Sequence, residues 1–75
     1  MYELEMLAKL EEFFIREYKD TKRAVEGGWG DRKDTVKCGL QRCLGAADFT
    51  QNFGISFEVI DKIYNEYREK FYKLF

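Results

Sequence analysis

The chain has no proline, and its strongest helix-stopping signals stand at two places, Gly27-Gly28-Trp29-Gly30 and Asn52-Phe53-Gly54. Glycine loses the most backbone entropy on ordering and takes left-handed conformations freely, so each signal ends a helix. The three stretches between carry apolar residues at helical spacing. In the first, Leu4, Leu7, Leu10, Phe14, Tyr18 and Val25 fall within an arc of about 120°, with Met6, Phe13 and Ala24 as a second seam beside it and Ile15 on the other flank. In the second, Val36, Leu40, Cys43, Leu44 and Ala47 share one face, behind Asp31, Asp34 or Thr35 as N-cap. Beyond Gly45 a separate stripe of Ala46, Phe49, Thr50 and Phe53 predicts either a kinked second helix or one buried on two sides. In the third, Ile60, Ile63, Tyr64, Tyr67, Phe71, Leu74 and Phe75 oppose Glu58, Lys62, Asn65, Glu69 and Lys73. Ser56 is the expected N-cap there, with Ile55 and Ile60 as a hydrophobic staple. The expected fold class is all-α: one small three-helix domain over residues 1–75, with helices near 2–25, 35–52 and 57–74.

Composition narrows the chemistry. Seventy-five residues leave no room for a second domain, and 45% hydrophobic with 17% aromatic residues drives collapse rather than disorder. With no histidine there is no imidazole base, no proton shuttle near neutral pH and no His-ligated metal. Cys38 and Cys43 are too few for a zinc site unless a second copy of the chain supplies two more, and five residues along a helix sets them about 140° apart, beyond the reach of a disulfide. No carboxylate pair stands in a catalytic arrangement, so the reading is non-enzymatic, with no cofactor and no small-molecule substrate. Cys43 belongs on the core face beside Leu40 and Leu44, and Cys38 outside it. Glu3, Glu5, Glu11 and Glu12 stand where a secretory leader would be basic and then apolar, which gives a reducing, cytoplasmic compartment as the expectation. No apolar run approaches the roughly 20 residues of a spanning helix, so no membrane partner is expected.

Between Ala46 and Ile63 the residues Phe49, Thr50, Phe53, Gly54, Ile55, Ile60 and Ile63 are similar in spacing to the helix-turn-helix unit of bacterial and phage repressors. Thr50 stands where that pattern has alanine. The resemblance covers 18 of 75 residues, all of them packing positions. It implies a steep helix corner and, as the alternative function, a small DNA-binding regulator of bacterial or phage type. Ser56, Lys62 and Asn65 would then read DNA from the third helix. Glu58, Asp61 and Glu69 on the same outer face would repel phosphate, which disfavours that reading.

Charge is uneven along the chain: residues 1–18 carry −3, residues 19–42 carry +3 and residues 43–75 carry −1. Arg32, Lys33 and Lys37 belong to the basic middle around the loop that holds Trp29, and with Lys19, Lys22, Arg23 and Arg42 they suit a nucleic-acid backbone or an acidic protein surface. Trp29 is either an exposed anchor or a lid folded onto the core. The main arc of the first helix suffices to cover two neighbours, which leaves Met6 and Phe13, with Leu10 between them, as a seam expected to face away. The favoured function is therefore a self-associating, non-catalytic interaction module, a homodimer acting on an unidentified protein partner, with Met6, Leu10, Phe13 and Trp29 as its contact residues.

Overall fold

A computed structural model describes residues 2–75, with the side chains of residues 3–75. It consists of α1 (Tyr2–Glu26), α2 (Arg32–Gln51) and α3 (Phe57–Tyr72), and among the described residues there is no strand. The second helix begins three residues earlier than periodicity predicts, because its cap precedes its first apolar residue. The Asp31 carboxylate accepts from the backbone N–H groups of Lys33 at 2.8 Å and Asp34 at 3.2 Å, and so satisfies two of the donors a helix start leaves unpaired. Ser56 occupies the N-cap position of α3, but its hydroxyl makes no cap bond; only its carbonyl accepts, from Ile60 N–H at 3.2 Å. Gly54 has φ +79°, the left-handed region expected at this helix stop, and Ile55 and Ile60 beyond it are both buried.

The three helices lie lengthwise in a body of 40 × 16 × 16 Å. A helix rises about 1.5 Å per residue, so the 20 residues of α2 span roughly 30 Å and cannot stand across a 16 Å width. Neighbouring residues show how the helices run. Thr21 meets Gly39 and Glu17 pairs with Arg42, so α1 and α2 are antiparallel. Gly39 meets Phe71, and Arg32 Nη1 donates to Phe75 O at 3.3 Å, so α2 and α3 are antiparallel over their full length. The chain therefore reverses direction across the corner at Gly54.

Leu10, Phe14, Val36, Leu40, Cys43, Ala47, Ile55, Ile60, Tyr67 and Phe71 form one core. The Phe14 ring meets Tyr67 at 5.5 Å and Tyr64 at 6.2 Å between centroids, and Tyr18 meets Phe71 edge-on at 5.5 Å. Two placements differ from the sequence reading. Leu44 lies outside, over the shallow groove between α2 and α3, because Leu40 and Cys43 already fill the core face. Helix α2 runs uninterrupted through Gly45; of the second stripe Thr50 turns inward, its hydroxyl donating to Ala46 O at 2.8 Å, and Ala46 is partly buried, while Phe49 and Phe53 stay outside.

Cys43 is buried and Cys38 exposed, both as free thiols. Burial, reinforced by the Glu17 carboxylate and opposed by Arg42, pushes the Cys43 thiol up to about 12. In native protein a thiol reagent should modify Cys38 readily and Cys43 more than about tenfold more slowly, since Cys43 needs an opening of the bundle first. The pH dependence follows from the same shift. Stability from the protonated thiol is complete below its unfolded value of 9.0 and is lost as pH rises towards 12. Unfolding midpoints followed across that window, for the parent and Cys43→Ala, check this: the parent should lose more stability than the variant.

Candidate functional site

The structure corrects the outward seam on α1. Leu10 is only 4% exposed and belongs to the core, while Met6 and Phe13 are half-buried at its edge. Leu10 points inward because α2 lies directly against that arc, antiparallel to α1.

The Arg42–Glu17 ion pair, with Nε 2.9 Å from Oε2, fixes how α2 lies against α1. From Glu17, steps of four and seven residues down α1 reach Phe13 and Met6 along one line; from Arg42, a step of seven down α2 reaches Phe49, and Phe53 follows in the turn just after the helix ends at Gln51. Because the helices are antiparallel, Phe13 is level with Ala46, Leu10 with Phe49 and Met6 with Phe53. Met6, Phe13, Phe49 and Phe53 therefore edge one elongated face formed by α1 and α2, on the side away from α3. Phe49 is 61% exposed and Phe53 41%, and their rings pack edge-to-face at 5.1 Å. The Arg16 guanidinium covers Phe13 at 5.6 Å from its centroid.

Phe49 and Phe53 were the residues the sequence reading missed as contact candidates. The sequence carries only part of the signal: the stripe of Ala46, Phe49, Thr50 and Phe53 is out of phase with Leu40 and Cys43, but Thr50 turns inward while the two rings stay outside.

Trp29 is 76% exposed at the opposite end of the molecule and covers neither the core nor the Met6–Phe13 edge. Its ring lies against Gly27, where an added Cβ would come within 2.6 Å of it, and borders a shallow recess with Asp20, Arg23 and Ala24. Its backbone N–H donates to Ala24 O at 3.0 Å, which ties the loop to the end of α1.

The residues considered for nucleic acid do not come together. Arg32, Lys33 and Lys37 lie in the first turns of α2, beside the end of α3, whereas Ser56 begins α3 at the other end of the bundle. Lys62 and Asn65 border a trough shared with Glu58, Asp61, Glu66 and Glu69, and Asn65 Nδ2 is already donated to Asp61 Oδ2 at 3.1 Å. A phosphate backbone there would meet four carboxylates against one ammonium.

Among the described residues no group of three or more His, Cys, Asp or Glu side chains is placed to hold a metal ion, and no helix is long and apolar enough to cross a membrane. Comparison with protein-family models, with curated proteins and with solved structures gave no match.

Proposed function

We propose that the protein is a small non-catalytic interaction module that self-associates through the α1/α2 face and acts on a protein partner. The exposed Phe49–Phe53 pair carries this reading. Fully burying a phenylalanine is worth roughly 1.5–3 kcal/mol, and two adjacent rings left largely in water forgo much of it unless another surface covers them. Half-buried Met6 and Phe13 extend the same face, and Phe is among the residue types that concentrate in the buried centre of protein contacts. An isologous contact uses the patch on both chains, so a homodimer recovers the burial twice.

Sedimentation tests the reading. The parent should approach twice the 9.0 kDa chain mass at high micromolar concentration, and Phe49→Glu should stay folded and sediment as a monomer. Since Phe49 projects outward, the substitution leaves the core intact. A parent that remains monomeric, or a Phe49→Glu protein that associates equally well, would overturn it.

A further inference from the structure

We infer that two copies of this chain pair antiparallel across the α1/α2 face, α1 against α1 and α2 against α2, about a two-fold axis level with Phe49; this rests on the self-association reading. The first observation is a charge pattern. Glu5, Lys9, Glu12 and Arg16 are all exposed on α1, lie at spacings of four, three and four, and alternate in sign. Reversing the helix direction about the midpoint between Leu10 and Glu11 exchanges Glu5 with Arg16 and Lys9 with Glu12. An antiparallel second copy therefore meets opposite charge at all four positions, whereas a parallel copy in the same register meets like charge at all four. Among the described residues the ion pair that forms is Arg42–Glu17, so none of these four charges is paired within the chain, although Arg16 also lies over Phe13.

The second observation comes from the other helix. The contacts Glu17–Arg42 and Thr21–Gly39 set the junction of Leu10 and Glu11 level with Phe49 on α2. A two-fold axis there, crossing both helices at right angles, brings Phe49 onto Phe49 of the second copy. It also brings Phe53, four residues beyond, over Gly45 of that copy, four residues before. Gly45 is the exposed glycine within α2 where an added Cβ would meet nothing within 4 Å. Glycine inside a helix costs about 1 kcal/mol relative to alanine, and nothing in its own chain needs the space. A phenylalanine ring of a second copy does. The charge pattern of α1 and the spacing from Gly45 on α2 to Phe53 in the turn after it thus share one and the same axis.

The test is sedimentation equilibrium at low salt on Glu5→Arg, Arg16→Glu, the doubly exchanged Glu5→Arg/Arg16→Glu protein, and Gly45→Gln. Each single reversal turns two attractive contacts into two repulsive ones and should weaken the dimer about tenfold, while the exchanged pair should return to within about threefold of the parent. Gly45→Gln should weaken dimerisation about tenfold or more while leaving the dilute monomer at least as resistant to unfolding as the parent. If the parent dimerises but the exchanged protein stays as weak as the single variants, or Gly45→Gln pairs like the parent, the antiparallel arrangement is overturned and self-association stands. If the parent is monomeric, both fall.

Discussion

Phe14→Ala should lower the unfolding free energy by about 3–5 kcal/mol, the usual cost of truncating a fully buried phenylalanine. Phe14 has no solvent exposure and sits where all three helices meet: Leu10 precedes it on α1, α2 supplies the opposite wall, and the rings of Tyr64 and Tyr67 on α3 close over it. The cavity cannot be refilled cheaply, because Tyr67 is held by contacts of its own. The Tyr67 hydroxyl donates to Glu11 Oε1 at 3.3 Å, and the Lys70 ammonium lies 4.7 Å from the Tyr67 ring centroid. A chain of this length has roughly 4–11 kcal/mol of stability in total, so the variant should be partly unfolded at 37 °C. Denaturant titration is the measurement, with Phe14→Leu as the control expected to lose less than about 2 kcal/mol. A Phe14→Ala midpoint within about 1 kcal/mol of the parent would show that the core is not organised around this ring.

The positions of the helices were legible because spacing and stop signals act within a few residues of sequence. Glycine at a left-handed position, apolar residues either side of Ser56, and Cys43 in phase with Leu40 each declare themselves locally. The azimuth of one helix against another was not legible, because it depends on which part of a wide apolar arc the neighbour occupies. On α1 that arc runs from Leu4 to the Met6–Phe13 edge, and sequence alone divides it wrongly. Leu10 lies beneath α2, while Leu4 is 69% exposed, since its level on α1 matches the turn after Gln51, where α2 has ended. The same ignorance concealed Phe49 and Phe53. Their stripe reads equally well as a second buried face until the Arg42–Glu17 pair shows which side α1 takes. Nor does spacing show the cap that starts α2 at Arg32, because Asp31, Asp34 and Thr35 are each chemically suited and only the backbone selects among them.

The two glycines inside α2 should respond in opposite directions to one kind of change, and this contrast tests the helix packing most directly. Gly39 is buried where α1 and α3 both close on α2: an added Cβ would collide with Thr21 Oγ1 and lie 2.8 Å from Phe71 Cε1. Thr21 and Phe71 are themselves buried, and the Thr21 hydroxyl has no hydrogen-bond partner, so neither side chain has a surface to retreat to. Gly39→Ala gains about 1 kcal/mol of helix propensity and loses more to the clash. Gly39→Val adds two further carbons in the same space and should cost about 3 kcal/mol, lowering the thermal midpoint by roughly 12–24 °C for a domain of this size. At Gly45 the added methyl meets nothing, so at concentrations that keep the chain monomeric Gly45→Ala should raise stability by up to about 1 kcal/mol. Thermal and denaturant unfolding of the two alanine variants side by side gives the comparison. Equal shifts would mean that intrinsic helix propensity alone governs both sites, and that α1 does not approach α2 closely at Thr21.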